Sequence, residues 1–484
     1  MSEAAWANWA SAWPAVLGQG GGMGAMLGPY MGVFFVAFFV SIIVTPVMRR
    51  WAVASGVIDW PDLKRKNHAL PVAYLGGVAI FIGWLAGVSA SYFVAPGSGL
   101  GLGEYVAHTL GEPLVPFRSF PLSILLAAAI ITYTGLHDDV FGMRARVKVG
   151  GQLFAAAALT WDQIGIDFTS SVLALVHLDP PPSVLYFLAT FLVAFFVLGG
   201  CNAVNLIDGL DGLAAGVVAI AMVGFLMIAL LMGDEPLLAV DNCHRIVLCL
   251  ATLGAILGFL PYNFNPASIF MGDAGSLLLG FLCVTAILLF SDIGGWSLKL
   301  VTAALIVFAV PITDTSLAII RRKLRGQPIM APDNQHLHHL LRRAGFSVRQ
   351  SVLIMYAAAL VFGSIGVAMV GFELQWRYSL AIFCVIYGFI MVTAFKYGAR
   401  CLALDQLRAQ TTPPSSPSPS LPPSLPATSD GLSDATGSAD VATASTQGST
   451  NGSANGTSAS GHHADPGPAE RATPTPGPGP SPRS

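Results

Sequence analysis

Charge is what this 484-residue chain has least of. Only 10% of it is Asp, Glu, Lys or Arg, against 54% hydrophobic residues, where an ordinary globular domain carries about 25% charged residues. That leaves too little polar surface to face water all round, which excludes a soluble globular fold. The six cysteines, at 201, 243, 249, 283, 384 and 401, have no paired spacing of the disulfide or zinc kind and sit mostly within or beside apolar runs, so they read as packing residues. With a net charge of −2 and no basic patch interleaved with aromatics, no nucleic-acid partner is expected. The first 29 residues hold no Lys or Arg. The charged leading region of a secretory signal peptide is therefore missing, and they are expected to remain as an exposed N-terminal segment.

What the chain has instead is long apolar runs. About 18 or more apolar residues are enough to cross a hydrocarbon core of about 30 Å, and eleven such stretches are legible, near 30–48, 72–94, 121–137, 148–163, 183–201, 213–232, 245–261, 275–291, 296–318, 352–371 and 377–397. The fourth is short and carries Gln152. The expected fold is an all-α polytopic membrane protein, with a membrane domain over 30–405. From about 406 the composition turns to Pro, Ser, Thr, Ala and Gly, as in TTPPSSPSPSLPPSLP. Such a tract cannot bury enough apolar surface to offset the entropy of ordering, so 406–484 is expected to be a disordered tail.

Lys and Arg favour cytoplasmic loops. On one side of the expected topology lie Arg49, Arg50, Lys64, Arg65, Lys66, Arg144, Arg146, Lys148, Arg321, Arg322, Lys323, Arg325, Arg342, Arg343 and Arg349, fifteen in all, and on the other only Arg118, Arg245, Lys299 and Arg377. The N-terminus is thus expected outside and the C-terminus in the cytoplasm.

Four polar clusters interrupt the apolar sequence, all on that cytoplasmic side: LHDDVFGMRARVK (136–148), CNAVNLIDGLDGL (201–213), NFNPASIFMGDAGS (263–276) and APDNQHLHHLLRRAG (331–345). Carboxylates grouped at span ends call for pairing, a cation or a substrate pathway. Adjacent Asp138 and Asp139 repel unless a cation neutralises them, which suits a proton acceptor or a ligand for Mg²⁺, although a solvated helix end would also accept them. Asn202, Asn205, Asp208 and Asp211 step by three and would form one polar stripe on a helix; helix capping explains one or two of them. Asn263, Asn265 and Asp273 surround Phe270, and Gly272, Gly275 and Ser276 open a helix whose amides could cradle an anion. His336, His338 and His339 stand between basic runs. Zinc is one reading, but the hard oxygen donors elsewhere favour Mg²⁺ or Mn²⁺ with phosphates, and the histidines then suit hydrogen bonding to a diphosphate. The inventory fits phosphoryl transfer between a nucleotide and a lipid. A transporter could also line a path with carboxylates and histidines, but its sites belong near mid-bilayer and its halves should repeat, and no repeat is found.

With DLKRKNHALPVAYLGG (62–77), the four clusters in order, and Asp314 in VPITDTSLAIIRR, the chain resembles the polyprenyl-phosphate N-acetylhexosamine-1-phosphate transferases, the membrane superfamily that includes the phospho-MurNAc-pentapeptide translocases. The resemblance covers nearly all of 30–397. HLHHLL (336–341) looks like the branch that initiates O-antigen, teichoic acid and related glycans, because Leu337 interrupts the run of histidines found in the translocases. The resemblance implies that undecaprenyl phosphate attacks a UDP-N-acetylhexosamine, UDP-GlcNAc by analogy, and releases UMP. It implies catalytic roles for Asp138, Asp139 and Asp273, with Mg²⁺ (or Mn²⁺) held by Asp273, Asp139 and Asp211. Asn205, Asp208 and Asp211 would bind nucleotide and metal, and Asn263 and Phe270 would lie near the uracil. Lys66, His68, Lys148, His336, His338 and His339 would neutralise phosphates, with Lys148 alternatively snorkelling at a span end. Membrane lipid is a partner in any case, and a homodimer is suggested by the translocase relatives.

Overall fold

The computed structural model describes residues 27–59, 71–94, 120–232, 239–291, 297–324, 326, 328, 336–372 and 376–411. Lys66, His68 and most of the expected N-terminal segment and C-terminal tail lie outside them.

The described chain is built of helices. In order they are α1 (Met31–Ala54), α2 (Gly76–Val94), α3 (Leu122–Phe141), α4 (Ala145–Trp161), α5 (Ile166–Ala174), α6 (Pro182–Ile207), α7 (Leu213–Leu231), α8 (Ala239–Asn263), α9 (Gly272–Leu289), α10 (Ser297–Val307), α11 (Ala309–Leu324), α12 (Leu337–Arg343), α13 (Val348–Gly371) and α14 (Trp376–Thr411). Two short strands, β1 (Ile58–Asp59) and β2 (Val72–Ala73), pair antiparallel between α1 and α2.

The protein is an all-α polytopic membrane protein. Among the described residues eight helices are long and apolar enough to cross a bilayer, and α10 with α11 makes a ninth if that pair, bent by 77°, is counted as one span. The bend has a local cause: Pro311, in the first turn of α11, has no amide to offer the carbonyl of Val307, so the helical ladder cannot run through. Eleven spans were expected, and the other two segments are also helical. α4 has 17 residues and α14 has 36, including the apolar stretch Leu380–Thr393. α14 also runs to Thr411, past the expected boundary near 406.

The side chains sort by solvent. Phe35, Phe39 and Ile43 on α1, and Phe187, Phe191 and Phe195 on α6, recur every four residues, so each set lines one face of its helix. The α6 rings are 71%, 72% and 67% exposed. Apolar stripes this bare belong against acyl chains. α9 is the opposite case: every residue from Ala274 to Leu289 is buried. It can be surrounded because its neighbours approach through glycine. A Cβ on Gly135 of α3 would stand 2.5 Å from the backbone of Ala274, and one on Gly200 of α6 would stand 2.2 Å from Val284.

At one end of this bundle β2 forms a bridge from Ala73 to Ile269, and the Phe270 amide donates to the Ala73 carbonyl at 2.8 Å. Gly76 and Gly77 in turn donate to the carbonyls of Phe270 and Met271. The N-terminus of the central helix is thereby pinned to the start of α2.

Candidate active site

That pinned end of α9 gathers the polar clusters. Lys148, in the first turn of α4, inserts its ammonium between two carboxylates, 3.1 Å from Asp138 Oδ2 and in direct hydrogen-bond contact with Asp273 Oδ2. Asp273 Oδ1 accepts from Asn205 Nδ2 at 2.7 Å, and the same amide donates to Ser276 Oγ at 2.9 Å. Asp138 Oδ1 accepts from the Met143 amide at 2.6 Å, which turns the chain from α3 into α4. α3, α4, α6 and α9 therefore meet in one charged network, and Lys148 does not snorkel.

Asp139 points at the same helix end for a different purpose. Its Oδ1 accepts from the Asp273 amide at 2.8 Å and its Oδ2 from the Ala274 amide at 3.0 Å. A carboxylate at a helix N-terminus satisfies orphaned amides and complements the helix dipole. The anion cradled by the start of α9 is thus an aspartate of α3. Gly272, at φ +65°, is needed here because a Cβ would lie 2.5 Å from Asp139 Oδ2.

The expected stripe of four polar residues breaks halfway. α6 ends at Ile207, with Asp208 as its cap residue in a non-helical conformation. Only Asn202 and Asn205 share a helical face, Asn202 donating to Gln152 Oε1 at 3.2 Å. Asp208 and Asp211 lie in the tight loop before α7. Asp211 Oδ2 accepts from Asn265 Nδ2 at 2.8 Å and the Ala267 amide at 3.0 Å, fastening that loop to the one after α8. Burial, followed by the charges of Asp273, Asp139 and Asp211, pushes Asp208 up to about 8.

Asn263 is a buried brace between the same loops. Its Oδ1 accepts from the Gly212 amide at 3.1 Å and its Nδ2 donates to the Ile269 carbonyl at 3.0 Å. Both polar atoms of the side chain are thus engaged within the protein. Phe270 is half-buried, its ring edge-on to Tyr74 at 6.0 Å.

The histidines divide by environment. His336 Nδ1 bonds Asp314 Oδ2 at 2.8 Å. His338 is 1% exposed, and neither ring nitrogen has a partner among the described residues. Its Nε2 would touch a Cβ on Gly209 at 2.5 Å, so it seats α12 against the Asp208–Asp211 loop. Burial, and then neighbouring His339, hold His338 down at about 3 despite Asp314. In the absence of a bound anion the His338 ring is therefore neutral. His339 is half-buried beside it, ring centroids 4.2 Å apart.

Among the described residues no three acidic, histidine or cysteine side chains stand together so as to hold a metal ion. The donor set nevertheless suits one. Asp138 and Asp273 share an ammonium, and Asp208, raised first by burial, is raised further by the charges of Asp273, Asp139 and Asp211, so hard oxygen atoms with surplus negative charge are available to a cation.

The model of glycosyl transferase family 4 matches residues 121–291, from the start of α3 to just past α9. A probable undecaprenyl-phosphate N-acetylglucosaminyl 1-phosphate transferase of Bacillus subtilis (strain 168) is 36% identical over 344 residues, 71% of this chain and 86% of the relative. The chain belongs to this family. It is also 32% identical over 332 residues to a decaprenyl-phosphate N-acetylglucosaminephosphotransferase of Mycobacterium tuberculosis (strain ATCC 25618 / H37Rv), covering 64% of this chain and 75% of the relative. An undecaprenyl-phosphate alpha-N-acetylglucosaminyl 1-phosphate transferase of Yersinia pestis is 27% identical over 365 residues, 72% of this chain and 88% of the relative.

For this family member, reading residues one at a time missed some of the site. Tyr74 hydrogen-bonds Asp59, and burial, then the charge of Asp59, raises its phenol, with Asp139 and Asp273 adding to the effect. Tyr356 Oη donates to the Gly212 carbonyl at 2.6 Å, tying α13 to the acidic loop. Gln152 did leave a signal, as an amide inside an otherwise apolar run.

Proposed function

We propose that this protein transfers N-acetylglucosamine 1-phosphate from UDP-GlcNAc to undecaprenyl phosphate, releasing UMP, at the cytoplasmic face of a bacterial inner membrane. The observation that carries the reading is the meeting of Asp138, Lys148, Asn205 and Asp273 at the N-terminus of a buried helix, beside the loop of Asp208 and Asp211. The names of the relatives supply the sugar and the lipid. The basic residues at this end of the bundle supply the orientation.

In this reading Mg²⁺, held by Asp273 with Asp138 and Asp208 at hand, would polarise a phosphoryl oxygen and offset the charge of the leaving UMP. Lys148 then moves from bridging two carboxylates to facing a phosphate, a role open to a cation already held there by its neighbours. Asp139 keeps the α9 amides in register. The network lies at one end of the bundle, which suits a soluble nucleotide and a lipid headgroup meeting at the bilayer surface. A transporter path would place it near mid-bilayer.

Purified protein in detergent, given UDP-GlcNAc, undecaprenyl phosphate and Mg²⁺, is expected to release UMP and form a lipid-linked sugar diphosphate. No release with any UDP-N-acetylhexosamine would overturn the reading in favour of transport, which makes no product.

The raised Asp208 sets a pH dependence. Below about 8 the neutral acid is favoured, so an incoming divalent cation must displace a proton. The Mg²⁺ concentration for half-maximal rate is therefore expected to climb by up to about tenfold per pH unit between pH 8 and 6, the limit for one competing proton. Asp208→Asn should flatten that climb, and an unchanged slope would separate Asp208 from the cation.

A further inference from the structure

Asp314 lies on α11 and is 0% exposed. A buried carboxylate needs partners for both oxygens, and here both partners belong to one segment. Oδ2 bonds His336 Nδ1 at 2.8 Å, and Oδ1 accepts from the Leu337 amide at 2.7 Å. His336 is the residue just before α12, with extended backbone, and the Leu337 amide is the first of that helix. One side chain therefore fixes both where the segment begins and which way the His336 ring faces.

The chemistry of the pair follows from the acceptor. A carboxylate acceptor calls for the shared proton on His336 Nδ1, and in the neutral tautomer that fits this bond the lone pair is on Nε2. Nε2 makes no hydrogen bond among the described residues, yet it is not among the fully enclosed, partnerless nitrogens, unlike both nitrogens of His338. In His338, by contrast, both ring nitrogens are enclosed, with Nε2 against Gly209.

We propose that Asp314 is a positioning residue that locks His336 with its proton on Nδ1, so that Nε2 is presented as a fixed hydrogen-bond acceptor to an O–H or N–H group of a substrate. Its catalytic consequence rests on the transferase reading above; the tautomer itself does not. The donor group belongs either to the sugar nucleotide or to the lipid phosphate in its monoanionic form, which share this chemistry.

Asp314→Asn is close in shape but has one acceptor oxygen. If that oxygen keeps the Leu337 amide, the new NH₂ faces Nδ1 and drives the proton to Nε2, turning an acceptor into a donor. Turnover is expected to fall about 100-fold, in Asp314→Asn and in His336→Ala alike, and the double variant should be no slower than either. Multiplying losses would show that Asp314 acts apart from His336 and would overturn the proposal. Varying each substrate with the other saturating assigns the partner: a fall in kcat/KM concentrated on UDP-GlcNAc supports the sugar nucleotide, and one on undecaprenyl phosphate supports the lipid.

A measurement free of turnover guards against a variant that misfolds and against failure of the transferase reading. In wild-type protein with ¹⁵N-labelled histidine rings, the signals missing from the His336→Ala spectrum belong to His336, and they are expected to show a protonated Nδ1 and a bare Nε2. The opposite tautomer would sink the proposal even if the enzyme transfers sugar phosphate normally. Wild-type protein that shows the expected tautomer but releases no UMP would instead condemn the transferase reading.

Discussion

Asp273→Asn is expected to leave a protein that folds and inserts but transfers almost no sugar phosphate. The fold survives because α9 is held through the Asp273 main-chain amide, which Asp139 accepts, and the substitution leaves that amide in place. Asn also keeps an oxygen for Asn205, while Lys148 keeps Asp138 at 3.1 Å. What disappears is one full negative charge at the point where Lys148, Asn205 and a divalent cation would converge. An ion that polarises a phosphoryl oxygen contributes several kcal/mol to the transition state, so the expected loss is about 4 kcal/mol, roughly three decades in rate. Rate measurement over a Mg²⁺ series, beside a melting curve of the purified variant, checks both halves. Turnover within tenfold of wild type at ordinary Mg²⁺ would remove Asp273 from the chemistry, and a collapsed melting curve would make its carboxylate structural.

How much of this was legible before the fold was known depends on how far each interaction reaches. Apolar runs and the carboxylates that interrupt them are local signals, which is why the spans and the convergence of Asp138, Asp273 and the 201–213 cluster could be read directly. The partner of each carboxylate is not local. Asp139 caps a helix that begins 133 residues later, at Gly272, and Asp138–Asp139 as a bare dipeptide does not say which member faces a ligand and which holds a helix. The surroundings of His338 are equally non-local: it stands beside His336 and basic residues in sequence, and its ring is buried against Gly209, where burial holds its pKa down. The even spacing from Asn202 to Asp211 suggested a continuous helix, but α6 ends after Ile207, and Gly212, at φ +77°, already caps the start of α7. Eight or nine of the eleven expected spans meet the length and apolarity of a crossing helix among the described residues, and the segments of the other two, α4 and α14, are helical as well.

Gly135→Ala should damage both the fold and the chemistry, from a residue with no polar side chain. The added methyl would stand 2.5 Å from Ala274 N and Cα and from Asp273 C. All three are main-chain atoms of a helix enclosed on every side, so none can rotate away as a side-chain tip could. α3 and α9 must therefore separate, at a cost of about 1–3 kcal/mol for overpacking a close contact. α3 carries Asp138 and Asp139 one turn further on, so the separation stretches the Asp139 bonds to the α9 amides and opens the Asp138–Lys148–Asp273 bridge. A displacement of about 1 Å at a reacting centre costs about 100-fold in rate, and that loss should exceed what the fall in melting temperature explains. Gly150→Ala is the control: it meets nothing within 4 Å and lies on α4 two residues from Lys148, so melting and turnover should stay near wild type. If Gly135→Ala melts lower but turns over normally, the α3–α9 contact supports the bundle without aligning the site. If it is silent in both measurements, the close approach of these two helices is not a feature of the protein in its membrane.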